Sequence, residues 1–112
     1  MTKIASWITA GPGQEGKALA GVRIAARLRQ AGKAETKVVF FGPGVKLLDE
    51  ATGELREAIE ALKGAGVPIL ACQFNAQQLG ASERLQAYGV DLQGAGDVLV
   101  QLTDEGYQVV GY

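Results

Sequence analysis

One residue in this 112-residue chain has the makings of a working atom: Cys72, its only cysteine. Cys72 closes the apolar run Val67–Cys72 (VPILAC), immediately ahead of a short stretch of helical character. In open α/β sheets, ligands and reactive groups collect outside the carboxyl ends of strands. A thiol near a helix N-terminus can have its pKa lowered, which makes it a nucleophile. The chain has no histidine, so a Ser-His-Asp triad, a Cys-His pair and an imidazole metal site are excluded within one chain. Chemistry that needs only a thiolate survives: carrying sulfur as a persulfide, reversible oxidation, or thiol exchange with a partner. A small buried hydrophobe is the competing role for such a cysteine, and position alone leaves both open.

The second arrangement is made of glycine. Gly11, Gly13 and Gly16 in GPGQEG form a literal G-x-G-x-x-G between a strand-like and a helix-like segment. That is the placement of a dinucleotide fingerprint, whose glycines bring backbone close to a pyrophosphate at a helix N-terminus. The fingerprint also needs an acid ending the second strand, whereas Lys37–Phe41 (KVVFF) runs into Gly42 and Glu35 precedes that strand. The chain is also long enough for only one mononucleotide half of a full dinucleotide fold. A plain glycine-rich turn at a strand end is the simpler reading, and Gly42-Pro43-Gly44 forms a second one. No G-x-x-x-x-G-K-[ST] pattern is present, which removes phosphoryl transfer by that route. The pairs Asp49/Glu50 and Asp104/Glu105 diverge on a helix and read as surface. Trp7, Phe40, Phe41 and Tyr88 have no basic residues interleaved and read as core or interface.

The elements that must position these residues alternate along the whole chain. Strands are expected at Lys3–Thr9, Lys37–Phe41, Val67–Cys72, Val90–Leu92 and Tyr107–Val110, where β-favouring apolar residues cluster. Four consecutive apolar residues in KVVFF look buried on both faces, as in a parallel sheet. Helices are expected at Glu15–Ala31, with Leu19, Val22 and Ala26 on one stripe, and at Gly53–Lys63, with Leu55, Ile59 and Leu62 inward. Shorter helical pieces fall at Val45–Glu50, at Asn75–Leu79, at Ser82–Tyr88 with Ser82 as N-cap, and at Asp97–Glu105 with Val98, Leu102 and Leu99 inward. Such alternation predicts one α/β domain over residues 1–112: a three-layer α/β/α sandwich around a mostly parallel sheet of about five strands.

Composition agrees with that reading. The 16 glycines are twice the usual share of about 7%, yet glycine and proline together stay below the low-complexity range. A lone cysteine and the lack of a secretory signal pattern favour a reducing cytoplasm, and no apolar run is long enough to cross a bilayer. The net charge of −1 argues against a dedicated nucleic-acid binder. Charge is uneven all the same: residues 1–46 carry eight Lys/Arg against two acids, and residues 47–112 carry three against ten. Folding either intermixes the two halves or leaves a dipolar surface suited to self-association or anion binding.

Three stretches carry a family resemblance: Val38–Glu50 (VVFFGPGVKLLDE), Gly66–Cys72 (GVPILAC) and Leu99–Tyr112 (LVQLTDEGYQVVGY). Their order and spacing resemble the small DsrE/DsrF-like proteins, related to TusD-type sulfur-relay subunits, over nearly the whole chain. The resemblance implies an α/β/α sandwich assembled as trimers or hexamers, of one chain or with paralogous subunits. It implies that the cysteine matching Cys72 accepts and passes on sulfur as a persulfide, between donor and acceptor proteins and without a cofactor. Relatives often place Asn and a hydroxyl residue directly after the cysteine; here the chain reads Cys72-Gln73-Phe74-Asn75, with Asn75, three residues after the cysteine, in the related role. By their placement alone, the Gly42–Gly44 turn, with Gly42 and Gly44, and the backbone amides following Cys72, with Phe74 and Asn75, are the groups expected to stabilise the anionic sulfur. The expectation from another class is a non-catalytic oligomeric module that holds a nucleotide or other anion at its glycine-rich turns.

Overall fold

The computed structural model describes residues 1–112. Five strands, β1 (Lys3–Ile8), β2 (Glu35–Phe40), β3 (Ile69–Cys72), β4 (Asp91–Gln93) and β5 (Gln108–Gly111), form one sheet in the order β4-β3-β2-β1-β5. Every pairing is parallel. Six helices connect them: α1 (Glu15–Gln30), α2 (Pro43–Asp49), α3 (Gly53–Gly64), α4 (Gln73–Gln78), α5 (Ser82–Ala87) and α6 (Ala95–Asp104).

The strand order explains how the layers divide. From β1 to β4 the chain steps one strand at a time in one direction, and right-handed crossovers then put α1 to α5 on a single face. The return from β4 to β5, beyond β1, carries α6 across the other face. Two unequal cores result. Twenty-three buried residues, among them Ile8, Val22, Phe40, Leu48, Ile59 and Leu62, fill the first interface. Six residues, Ala5, Val39, Leu70, Val98, Leu102 and Tyr107, fill the second beneath α6.

Strand alternation produces this split, since Val38 and Phe40 point to one face and Val39 to the other. Two buried hydroxyls join sheet to α1: Ser6 Oγ donates to the Gly21 carbonyl at 2.9 Å and Thr36 Oγ1 to the Ala25 carbonyl at 3.0 Å. Ion pairs Arg23–Glu54 and Lys37–Glu105 link the basic and acidic halves, so folding brings charges of the two halves together.

Several boundaries differ from expectation, each for a local reason. Phe41 leaves the sheet after β2 and is 37% exposed, its ring 5.6 Å from that of Trp7. β2 instead gains Glu35 and Thr36 at its start, where the Thr36 hydroxyl is satisfied by α1. α2 begins at Pro43 rather than Val45: Gly42, at φ +59°, takes the capping position and Pro43 the first helical one. Ser82 is not the N-cap of α5; Ala81 is, and the Ser82 Oγ has no hydrogen-bond partner. Leu99 is 41% exposed, because a helix with Val98 and Leu102 inward turns position 99 toward solvent.

Two tyrosines tie strand and helix ends together. The Tyr107 hydroxyl donates to Glu35 Oε2 at 3.1 Å, and burial, then this hydrogen bond, pushes its pKa up to about 12. The Tyr88 hydroxyl donates to Glu60, with its ring beneath Arg56 and Lys63; burial, then the Glu60 bond, raises its pKa to about 12 as well. Between pH 10 and 12 the unfolded chain releases these protons while the folded chain retains them, so stability is intact below about pH 10 and falls above it. Denaturant titrations across that range should show the loss, and Tyr88→Phe/Tyr107→Phe should flatten it.

Candidate functional site

The site lies at the C-terminal ends of β2 and β3. Cys72 is the last residue of β3 and the N-cap of α4, in extended conformation (φ −66°, ψ 119°). Its strand partner on the outer side is Gln93 of β4. The residue is only 4% exposed and belongs to the larger core, so the thiol sits just under the surface rather than on it.

Gly42 follows the end of β2, beside the start of α4. The Gly42 N–H donates to Asn75 Oδ1 at 2.9 Å, a bond spanning 33 residues of sequence. The Gly44 N–H donates to the Phe41 carbonyl at 3.1 Å. Both amides are therefore engaged within the protein, and their contribution is to fix the loop that faces α4. Phe74, 66% exposed, projects from the first turn of α4. Its ring edge lies 3.9 Å from where a side chain on Gly94 would begin. Beside it, Gln73, Gln93, Gly94, Asp97 and Gln101, with Leu92 and Val100, line a shallow groove of about 470 Å³. Nothing in the sequence marks that groove, because it exists only once Gln93 is placed in register with Cys72.

The glycine turns are occupied by packing. A Cβ on Gly44 would stand 2.2 Å from the Ile8 carbonyl oxygen, and one on Gly11 would stand 2.6 Å from Pro43 Cβ. The first turn of α2 is thus seated directly on the end of β1 and on the GPGQEG turn. Within that turn the Gly13 N–H donates to the Glu15 carboxylate at 2.7 Å. No group of three or more His, Cys, Asp or Glu side chains is arranged to hold a metal ion, and no helix is long and apolar enough to cross a membrane.

A six-residue helix is too short to be stable by itself; α4 is held by buried Ala76 and by the Asn75–Gly42 bond. Asn75→Ala should therefore loosen its first turn. Losing one net hydrogen bond of about 1 kcal/mol corresponds to roughly a fivefold rise in local opening. The rate of Cys72 labelling by a small thiol reagent under native conditions should rise by that factor.

The sequence profile of the DsrE/DsrF-like family matches residues 2–112. The chain belongs to that family. Its backbone is similar to three solved structures. BT1422 from Bacteroides thetaiotaomicron, a conserved protein of unknown function, superposes with a TM-score of 0.83 at 18% identity, covering 98% of this chain and 94% of that one. MTH1491 from Methanobacterium thermoautotrophicum, also of unknown function, gives 0.81 at 20% identity, and the ychN protein from E. coli gives 0.77 at 21%, both covering 100% of each chain. At these identities the likeness establishes the fold. No curated protein matches the chain. As a DsrE/DsrF-like protein, then, it presents its single cysteine at the carboxyl end of the third strand, under a short helix latched by Asn75.

Proposed function

We propose that this DsrE/DsrF-like protein relays sulfur, with Cys72 as the carrier. The observation that carries the reading is the placement of the chain's only cysteine at the end of β3 and the cap of α4, in a fold where reactive groups gather at strand carboxyl ends. In the forward step the Cys72 thiolate attacks the outer sulfur of a donor persulfide. The donor S–S bond breaks, a new S–S bond forms on Sγ, and the donor leaves as a thiolate; no oxidant is consumed. An acceptor thiolate then attacks the outer sulfur and Cys72 is regenerated. No cofactor takes part.

Because Cys72 is buried, donor and acceptor reach it when the first turn of α4 shifts. Gly42 and Asn75 set that position, Gly44 seats the facing loop, and the backbone amides of Phe74 and Asn75 in the first turn of α4 stabilise the anionic sulfur. The 112 residues act as one domain in the cytoplasm, where a lone thiol stays reduced. The working form is a trimer or hexamer of this chain or of paralogous subunits, and neither membrane nor nucleic acid is a direct partner. Sedimentation of the pure protein should give a species of three or six chains, and a monomer at micromolar concentration would refute the homo-oligomer.

The relay is tested by cyanide, which takes an outer persulfide sulfur as thiocyanate and leaves the thiolate. Protein loaded from a sulfane-sulfur donor and desalted should release up to one thiocyanate per chain, and Cys72→Ser none. Equal release from both would overturn the proposal. Anion binding at the glycine turns has less support, since Gly11 and Gly44 are closed by packing and the Gly13 and Gly42 amides already have acceptors.

A further inference from the structure

A second pocket lies at the opposite end of the sheet from Cys72 and owes nothing to the relay reading. It has a volume of about 400 Å³, and its lining includes Lys3, Arg29, Glu35, Lys37, Glu105 and Tyr107. Lys3 and Glu35 begin β1 and β2, and Tyr107 precedes β5; in a parallel sheet these ends face away from the end of β3.

Three cations share this pocket with two carboxylates, and both carboxylates are engaged. Glu35 accepts from the Tyr107 hydroxyl at 3.1 Å and lies 3.8 Å from Lys3 Nζ. Glu105 accepts from Lys37 Nζ at 3.2 Å, while its backbone carbonyl accepts from Lys3 Nζ at 3.1 Å. Arg29, in the last turn of α1, forms none of the molecule's five ion pairs. One positive charge is left over, and it belongs to the side chain whose planar fork fits a carboxylate or phosphate in bidentate fashion. The Tyr107 ring lies beneath the Lys3 and Lys37 ammonium groups, 5.7 and 5.1 Å from its centroid, which holds both cations at the pocket.

We infer that this pocket binds a small metabolite through an oxyanion, carboxylate or phosphate, gripped by Arg29 in the field of Lys3 and Lys37. Glu105 limits the affinity, because it competes with the ligand for Lys37.

The test is an amide chemical-shift titration of the full chain with sodium phosphate and, separately, sodium acetate, each against sodium chloride at matched ionic strength. The expected result is saturable shifts at Thr36, Gly66 and Tyr107, which also line the pocket, with one of the two anions, which identifies the oxyanion. Arg29→Gln should weaken binding about tenfold, the scale of a charge-assisted hydrogen bond. Glu105→Gln should strengthen it, a gain that damage to the fold does not produce, and Cys72→Ser should bind as wild type does. Linear, unsaturable shifts with both anions, an Arg29→Gln titration identical to wild type, or shifts centred on Gly13 and Gly42 would each overturn the inference.

Discussion

Gly44→Ala should cost this protein most of its stability. The added Cβ would lie 2.2 Å from the Ile8 carbonyl oxygen and 3.1 Å from its carbon, both backbone atoms at the end of a central strand. Neither can move without disturbing the bond from the Phe41 N–H to the same oxygen, 2.9 Å long. Ordinary overpacking of a core costs about 1–3 kcal/mol, and a backbone clash in the middle of the sheet belongs above that range. At roughly 4 °C per kcal/mol for a domain of this size, the melting temperature should fall by at least 12 °C. Gly16→Ala is the control. It lies within α1, a Cβ there meets nothing within 4 Å, and alanine's helix preference should make it neutral or stabilising by up to about 1 kcal/mol. A phosphate-binding G-x-G-x-x-G predicts a different pattern, in which Gly16 is needed for ligand rather than fold. Thermal melts of Gly11→Ala, Gly16→Ala and Gly44→Ala should therefore rank by contact distance, with Gly44 worst and Gly16 harmless.

Under the proposed relay, the other large effect is expected at Cys72, and it should be all or none. Without Sγ no persulfide forms at this position, so Cys72→Ala and Cys72→Ser should abolish sulfur uptake and transfer outright. Fold should survive both changes. Alanine leaves a small void in the larger core, at a cost on the order of 1 kcal/mol. Serine buries a hydroxyl, which costs about 1–3 kcal/mol when unpaired. Having both variants separates loss of chemistry from loss of stability, since their transfer should be equally absent while their melting temperatures differ.

Much of this architecture was legible because burial on both faces writes itself into sequence. Val38, Val39 and Phe40 form a continuous apolar run because each face of β2 meets a core, and Leu55, Ile59 and Leu62 mark α3 by their spacing. Boundaries were obscure where one side chain decided them. Thr36 belongs to β2 because α1 offers its hydroxyl a carbonyl, and that partner is eleven residues away. Ser82 has the chemistry of an N-cap, yet Ala81 takes the position. The position of Cys72 was readable from VPILAC, but its burial was not, since what covers it depends on α4 starting at the very next residue. Least legible were contacts made by parallel pairing. Gly42 and Asn75, or Lys37 and Glu105, are distant in sequence and meet because β1 to β5 stack in one order and no other.

The proposed relay places the sulfur on one atom, Cys72 Sγ. Intact mass measurement of the native protein after incubation with a sulfane-sulfur donor tests it most directly. A single addition of about 32 Da is expected on wild type, mapped to the peptide containing Cys72, removed by a reducing thiol and absent from Cys72→Ser. An unmodified wild-type mass, or the same addition persisting in Cys72→Ser, would contradict it.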